Sequence, residues 1–316
     1  MGKRSVRRNK AKKKIQSKSE SKKEPLKKSN TSFYDKYYKI LLIIPFLLLA
    51  LSIAQISIQY SSTGDFIHKG VSLSGGISIT IEKELDISFK DLETSLNSEF
   101  PEFDSSVREI TTSGGTTGLI VQSTYSDSEV ILDFLEKQIG VLDESEYTSE
   151  MMGSHLGEQF FRQIFTALIF AFILMGIVVL IYFRSFGPSI AVILSAISDI
   201  VITASIVNLT GMKLSTAGIA AFLMLIGYSV DTDILLSTKM IRGKGSLNQR
   251  IVDAMKTGLM MSFTTIIAVG VAILVTQSEI IRQIMIIVII GLTVDLMTTW
   301  IQNASILKWV LERTKK

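Results

Sequence analysis

The sequence predicts a polytopic α-helical membrane protein with six transmembrane helices and an extracytoplasmic α+β domain of ferredoxin-like (βαββαβ) type between helices 1 and 2. Three observations lead to this prediction. Of the 316 residues, 47% are hydrophobic, and the mean hydropathy is +0.39, which is typical of a membrane protein. Six apolar runs approach the roughly twenty helical residues that cross a hydrocarbon core. Between the first two runs, residues 61–158 form a polar stretch in which short β-type and helical segments alternate.

The chain begins with a basic segment, residues 1–32, which is predicted to be a disordered cytoplasmic tail. Its first 30 residues contain 13 Lys or Arg against Glu20 and Glu24, and a composition with so few apolar side chains cannot form a packed core. We interpret the tail as a solvated topology signal close to membrane lipids, rather than as a contact for nucleic acid or the ribosome.

The first transmembrane helix is assigned to residues 33–60 and contains the apolar run from Ile40 to Ile58. This run is longer than the apolar region of a cleavable signal peptide, so we assign it as a membrane span. Pro45 lies inside the run and predicts a kink, because proline has no N–H to donate to the preceding turn.

The polar domain follows, with the element order of the split βαβ pattern. Its predicted strands and helices, in chain order, are Ile77–Glu82, Phe89–Phe100 (helix), Ser106–Thr111, Gly118–Ser123, Ser126–Ile139 (helix) and Glu146–Met151. Asp86 or Ser88 is expected to cap the first helix, and Asp127 or Ser126 the second. Gly114-Gly115 between two β-type runs predicts a hairpin.

Five further spans follow within residues 159–308, and residues 309–316 form a short cytoplasmic tail. The spans are Ile164–Phe183, Pro188–Asn208, Leu214–Leu236, Leu259–Thr276 and Ile280–Ile301. The loop after the fourth span is basic, whereas residues 64–150 hold 18 Asp or Glu against 5 Lys or Arg. The positive-inside rule therefore predicts that both termini are cytoplasmic and that residues 61–158 are extracytoplasmic.

The composition also restricts the chemistry of the chain. There is no cysteine, so neither disulfides nor thiolate chemistry are available. The only histidines are His68 and His155, which are too few for an ordinary histidine-based metal site. We predict no catalytic residue, no metal site and no cofactor.

Four carboxylates lie inside the predicted spans, where an ionised aspartate costs at least about 2.5–3.5 kcal/mol. Asp199 lies in the third span, Asp231 and Asp233 in the fourth, and Asp295 in the sixth. Asp231 and Asp233 point about 200° apart, since each residue turns a helix by about 100°. We predict that Asp231 faces the bundle interior, because it lies deeper and because Gly227, one turn earlier, permits close helix approach.

Asp231 is therefore the first candidate for a proton-coupling or ion-coupling group, ahead of Asp233. In the fifth span, Thr264 and Thr265 reach the same depth and form a hydroxyl ladder together with Ser262. Such a ladder opposite a carboxylate either passes a proton or only satisfies the carboxylate by hydrogen bonding.

Asp199 and Asp295 remain open between two roles, further coupling groups or structural acids hydrogen-bonded to neighbouring Ser, Thr or Asn side chains. No lysine, arginine or histidine within the core of the spans can neutralise the four acids. This implies either that the carboxyls are protonated or that a partner protein supplies the positive group.

Four motifs carry a family resemblance: Gly70-Val71-Ser72-Leu73-Ser74-Gly75-Gly76, Leu156-Gly157-Glu158-Gln159-Phe160, Gly227-Tyr228-Ser229-Val230-Asp231-Thr232-Asp233-Ile234-Leu235-Leu236 and Gly291-Leu292-Thr293-Val294-Asp295-Leu296. With them the chain resembles the SecD/SecF family of protein-export membrane proteins, in its archaeal SecF form, within the RND superfamily. The third motif is the specific one, and Gly227, Tyr228 and Ser229 in it are predicted to be a helix-packing motif.

The resemblance implies a SecF-like subunit of the cell membrane that forms a twelve-helix unit with a SecD-like protein beside the Sec translocon. In that family the unit promotes the export of unfolded polypeptides, and in bacteria it uses proton flow. The resemblance also implies an RND-type arrangement for the helices of residues 159–308.

Two other functions are considered. One is a passive structural scaffold that stabilises a SecD-like protein and the translocon without ion coupling. The other is an intramembrane aspartyl protease that uses Asp231 and Asp295, although the Tyr-Asp and Gly-x-Gly-Asp signatures of such proteases are absent from the sequence.

Overall fold

The computed structural model of the protein describes residues 38–83, 87–103, 105–112, 115–125, 127–143, 145–276 and 278–314. The predicted basic tail, residues 1–32, lies outside these ranges. In chain order the elements are α1 (Ile43–Thr63), α2 (Val71–Ser74), β1 (Gly76–Ile81), α3 (Phe89–Glu99), β2 (Ser105–Thr112), β3 (Gly115–Ser123), α4 (Ser128–Ile139), β4 (Tyr147–Met152), α5 (Ser154–Phe183), α6 (Phe186–Leu209), α7 (Thr216–Arg242), α8 (Leu247–Val275), α9 (Glu279–Met297), a π-helix (Thr298–Asn303) and α10 (Ala304–Thr314).

Six helices in the described part of the chain are long and apolar enough to cross a membrane, which confirms the predicted number of spans. They are α1, α5, α6, α7, α8 and a sixth span that runs from Ile280 to Arg313 through α9, the π-helix and α10. The predicted starts of two spans, Ile164 and Leu259, are wrong, because α5 begins at Ser154 and α8 at Leu247. Hydropathy detects only the apolar part of a helix, and both helices have polar first turns.

The first span is interrupted close to Pro45. Residues 38–41 are helical, a turn follows at Leu42, and α1 then begins at Ile43. Pro45 has no N–H to donate to the carbonyl of Leu41, so the regular helical hydrogen bonds cannot continue through this point.

The polar domain is a four-stranded antiparallel sheet with the strand order β2-β3-β1-β4. Together with the chain order βαββαβ, this topology is ferredoxin-like, as predicted. Alternate residues of the central strand β1, Ile77, Ile79 and Ile81, point to one face, where they pack with Leu96 of α3 and Leu135 of α4. The two-residue period of a strand produces this single apolar face.

The caps of the two domain helices agree with the sequence. The Ser88 side chain accepts a hydrogen bond from Asp91 N at the start of α3, and Asp127 accepts one from Glu129 N at the start of α4. The alternative caps, Asp86 and Ser126, lie outside the described residues. β2 and β3 pair as consecutive antiparallel strands, as a hairpin requires, whereas Gly114 of the predicted turn is outside the described residues.

The domain is attached to the bundle through the loop between α6 and α7. Gly70 N donates to Leu214 O (2.8 Å), and Leu214 N donates to His68 O (2.7 Å). Arg108 of β2 donates to Gly211 O (3.1 Å), and the Thr216 N–H at the start of α7 donates to the Ser72 hydroxyl (3.1 Å). We call this end of the bundle the domain side and the other end the opposite side.

The six spans divide into a central and a peripheral group. About half of the apolar segment is buried in α6, in α7 and in the sixth span, whereas α1, α5 and α8 are mostly exposed. The interior of the bundle is therefore formed mainly by three helices, and each of them carries at least one of the intramembrane aspartates.

Candidate functional site

Three aspartates meet inside the bundle: Asp199 from α6, Asp233 from α7 and Asp295 from α9. All three are fully buried. We call them the acid cluster. None of the ion pairs formed by the described residues involves any of them. Because ionised groups are rarely buried in a membrane without a partner, hydroxyl and amide groups must supply their polar contacts.

Asp199 is the member of the cluster on α6. Its two carboxylate oxygens accept hydrogen bonds from the hydroxyls of Ser229 on α7 and Thr298 on the π-helix. One carboxylate thus joins all three central helices.

Asp295 and Asp233 are linked to each other. The Thr232 hydroxyl lies 3.2 and 3.1 Å from the two carboxylate oxygens of Asp295. The Thr299 hydroxyl lies 2.9 Å from Asp295 Oδ1 and 3.0 Å from Asp233 Oδ1. Asn303 Nδ2 also donates to Asp233 Oδ1, at 2.7 Å.

The shared Thr299 hydroxyl limits the charge that this pair can carry. A threonine hydroxyl has one hydrogen to donate, but two carboxylate oxygens lie within hydrogen-bonding distance of it. If both carboxylates were ionised, one of the two contacts would be an unrelieved contact between oxygen atoms. The arrangement is satisfied when one carboxyl of the pair is protonated and donates to Thr299, while Thr299 donates to the other. One hydroxyl hydrogen therefore serves two buried carboxyls.

The π-helix places four of the polar side chains. Its wider turn brings Thr298, Thr299, Gln302 and Asn303 to the buried side of the sixth span, each with 0% exposure. Single π-turns inside α-helices occur frequently at functional sites. Trp300, in the same segment, packs against Gly258 of α8, where an added Cβ would lie 2.2 Å from Trp300 Cζ2.

The prediction that Asp231 faces the interior is wrong, because the structure exposes Asp231 and buries Asp233. The two do point in opposite directions, as helix geometry requires. Ser229 and Thr232, the hydroxyl donors that α7 supplies to the cluster, are buried on the same side of the helix as Asp233. A Cβ added to Gly227 would have no atom of the described residues within 4 Å, so Gly227 mediates no close packing among them.

The other members of the predicted packing motif do make contacts. Ser229 is buried and binds Asp199, and the Tyr228 hydroxyl donates to the Thr265 hydroxyl at 3.4 Å. The Thr264 and Thr265 hydroxyls donate to carbonyls of their own helix. They form no hydrogen bond to an acid among the contacts of the described residues, so the predicted ladder opposite Asp231 is not assembled within this chain.

Five residues of the site were not identified from the sequence: Thr232, Thr298, Thr299, Gln302 and Asn303. A signal was available for two of them, because Thr299 and Asn303 follow Asp295 at successive four-residue intervals in a span that is otherwise apolar. Polar residues at this spacing lie on one helix face.

The arrangement also bears on the other chemistries considered. Among the described residues, no group of three or more His, Cys, Asp or Glu side chains is placed to hold a metal ion. Asp231 and Asp295, the pair considered for a protease, do not face each other, since Asp231 is exposed and Asp295 is fully buried.

A bundle of six spans, with a ferredoxin-like domain after the first span and carboxylates in its interior, defines a multi-pass membrane protein with an α/β domain. The model of the family "Protein export membrane protein SecD/SecF, C-terminal" matches residues 133–313. The chain belongs to this SecD/SecF family.

Curated relatives agree with this assignment. The protein-export membrane protein SecF of Methanolacinia petrolearia is 36% identical over 281 residues, which cover 88% of this chain and 95% of the relative. SecF of Methanocaldococcus jannaschii is 36% identical over 291 residues, which cover 89% of this chain and 99% of the relative. These relatives are named as export proteins and not as enzymes.

Solved structures share the fold. The crystal structure of SecDF from Thermus thermophilus, a translocon-associated membrane protein, superposes with a TM-score of 0.68 at 20% identity. The match covers 87% of this chain but only 38% of the SecDF chain. SecDF in its super-membrane-facing form gives a TM-score of 0.55 at the same identity.

Proposed function

We propose that this chain works as a SecF-like subunit, together with a SecD-like protein and the Sec translocon, to promote the export of unfolded polypeptides, and that protons bound by the acid cluster couple to this work. The names of the relatives support the export role. The likeness of the chain to a part of SecDF supports a SecD-like partner.

The Thr299 hydroxyl shared by Asp233 and Asp295 is the observation that supports proton coupling. A single hydrogen between two buried carboxyls makes their hydrogen bonding depend on how many protons the cluster holds. Losing the proton adds one negative charge among α6, α7 and the sixth span and leaves one carboxylate contact without a hydrogen, and gaining the proton reverses both changes. Proton exchange therefore changes the free energy of packing of the three helices, and a coupling group must have this property.

We propose that both termini are cytoplasmic and that residues 61–158 are extracytoplasmic. The basic residues of the loop between α7 and α8 support this orientation, since the opposite side carries Lys239, Arg242, Lys244 and Arg250. We also keep the division into domains: tail 1–32, first span 33–60, extracytoplasmic domain 61–158, bundle 159–308 and a closing tail 309–316.

We propose that the SecD-like partner covers Asp231. Asp231 belongs to an exposed stripe of α7 that also contains Ala220, Met224 and Gly227. An ionisable group that faces lipid near mid-membrane is costly and is normally turned toward protein or water. A partner helix with a hydrogen-bond donor at this depth would satisfy Asp231, and Gly227 on the same stripe leaves room for close approach.

The passive scaffold is the alternative, because the same hydrogen bonds would also hold three helices together without proton exchange. Export by the Asp233→Asn variant distinguishes the two functions, since asparagine keeps the size of the side chain and cannot titrate. If the cluster couples protons, export per recovered complex falls while complex assembly is unchanged. Asp143→Asn, on the exposed surface of the domain, is the matched control. Normal export by Asp233→Asn would exclude proton coupling by the acid cluster and would leave the passive scaffold as the function.

A further inference from the structure

The interior of the bundle differs on the two sides of the acid cluster. On the opposite side, buried polar atoms without a hydrogen-bond partner in the described part of the chain gather near Asp233. They are Asp233 Oδ2, Asn303 Oδ1 and the hydroxyls of Ser195 and Ser237, and all four residues are fully buried.

These groups come from α6, α7 and the π-helix and lie at one carboxylate or within about one helical turn of it. Ser195 on α6 is the neighbour of Asp233 on that helix, and its hydroxyl has no partner within 3.5 Å among the described residues. Asn303 contacts Asp233 through its amide nitrogen, at 2.7 Å. Ser237 lies one turn beyond Asp233 on α7, about 6 Å further from the domain side at about 1.5 Å per residue. Ser195, Ser237 and Asn303 therefore extend the polar interior from the acid cluster toward the opposite side of the bundle.

Unpaired buried polar atoms indicate a ligand, since each costs about 1–3 kcal/mol and buried polar groups in proteins are otherwise paired with protein or water. The four atoms are oxygens of two hydroxyls, a carboxylate and an amide. Water matches this set, because it can both accept from the hydroxyls and donate to the carboxylate and the amide oxygen.

On the domain side a mainly apolar layer follows the cluster. Thr203, one turn from Asp199, has a buried hydroxyl that is also without a hydrogen-bond partner among the described residues. Beyond it the core is formed by the buried side chains Val207, Phe222, Ile287, Val288 and Leu292. The side chains of this layer offer water no polar partner, and the buried polar residues Asn208 and Gln283 lie beyond it, next to the segments that contact the domain.

The narrowest contact of the apolar side joins α7 and α9. A Cβ on Gly291 would lie 2.3 and 2.4 Å from the two methyl carbons of Leu225, so the Leu225 side chain rests directly on the backbone of α9. Leu225 is 1% exposed. No water can pass between the two helices at this point while the contact holds.

We propose that the acid cluster exchanges protons with the opposite side of the membrane, through water bound by Ser195, Ser237 and Asn303, and that the contact of Leu225 with Gly291 closes the cluster toward the domain side. This inference rests on the proposed coupling function. It assigns to that function three positioning residues and one seal.

The chain contains no cysteine, so the path can be tested with single-cysteine variants in the full complex in sealed vesicles. The probe is the silver ion, which is small and binds thiolates. Thiolates form where water reaches the sulfur and are suppressed in apolar surroundings. Ser237→Cys should react with silver added on the opposite side and not with silver added on the domain side. Leu292→Cys, equally buried but in the apolar layer, should react from neither side.

The seal is tested by adding Leu225→Ala to Leu292→Cys, which should make the thiol reactive from the domain side. Failure of Ser237→Cys to react from either side, in complex recovered at normal levels, would overturn the water path. Reaction of Leu292→Cys from the domain side with Leu225 intact would overturn the seal. Because silver reactivity does not depend on export, these results are separate from the outcome of Asp233→Asn, which tests coupling itself.

Discussion

Asp233 on α7 and Asp295 on α9 share one hydrogen-bond donor, the Thr299 hydroxyl, at 3.0 and 2.9 Å. Neither acid has a cationic partner in the part of the chain that the structure describes. The Thr299 hydroxyl therefore connects the two carboxyls, and it has a single hydrogen to donate to them.

The first prediction concerns this hydroxyl. Thr299→Val keeps the shape of the side chain but removes both its donor and its acceptor, so two buried carboxyls lose a partner. We expect the free energy of unfolding to fall by about 1–3 kcal/mol and export to slow. Thermal unfolding of the purified complex and export rate per complex measure the two effects.

Thr299→Ser is the matched control, because it retains the hydroxyl and removes only a methyl group. It should keep most of the wild-type export. Equal export by the valine and serine variants would show that the hydroxyl does not contribute to coupling.

The second prediction separates Asp231 from Asp233. If a partner helix covers Asp231, then Asp231→Leu removes a hydrogen bond between the subunits and lowers recovery of the SecD-like protein on purification. The isolated chain should be unaffected or more stable, because an exposed carboxylate at membrane depth has been removed. Co-purification of the partner, relative to this chain, is the measurement.

Leu274→Ala, at a strongly exposed position of α8, is the control for changes at the lipid-facing surface. Undiminished recovery of the partner with Asp231→Leu would contradict the proposal that the SecD-like protein covers Asp231 and the exposed stripe of α7 around it.

The error over Asp231 shows where inference from the sequence stopped. Helical geometry correctly placed the two aspartates on opposite faces, but it does not say which face packs inward. That depends on α6 and the sixth span, which supply the hydroxyl, amide and carboxyl groups around Asp233. The sequence did contain a hint, since Ser229, Asp233 and Ser237 repeat every four residues and form one polar stripe.

More of the fold than of the candidate site could be predicted from the sequence. Hydropathy is sufficient for the six spans, because a helix that crosses a bilayer needs about twenty apolar residues in a row, and strand alternation is sufficient for the ferredoxin-like sheet. The π-helix could not be foreseen in this way, because its wider turn is stabilised by distant contacts, such as Trp300 against Gly258. Thr298 and Asn303 reach the acids through that local geometry.

The third prediction is the orientation in the membrane. Glu102, in the α/β domain, and Lys244, in the loop after α7, are both exposed and lie on different sides of the bundle. In intact cells a membrane-impermeant thiol reagent should label Glu102→Cys and leave Lys244→Cys unlabelled. Breaking the cells should make both react. The reverse pattern would contradict the cytoplasmic placement of both termini.

The last prediction uses two glycines of α8. Gly258 packs on Trp300 so closely that a Cβ would lie 2.2 Å from the ring, whereas Gly270 has no atom within 4 Å of that position. Alanine is favoured over glycine in a helix interior by about 0.8–1.0 kcal/mol. This difference in helix propensity raises the free energy of unfolding of both variants. Gly270→Ala should therefore be neutral or slightly stabilising. Gly258→Ala must displace Trp300, and with it the π-helix that positions Thr299 and Asn303. Overpacking of this kind typically costs about 1–3 kcal/mol, which outweighs the gain in helix propensity.

Thermal unfolding of the purified complex should accordingly show a lower midpoint for Gly258→Ala than for Gly270→Ala. Export per recovered complex should fall only in Gly258→Ala, since its disturbance reaches the donors of Asp233 and Asp295. If Gly258→Ala loses stability but exports normally, the packing of Trp300 matters for the bundle and not for coupling. Equal behaviour of the two variants in both measurements would contradict the close contact itself.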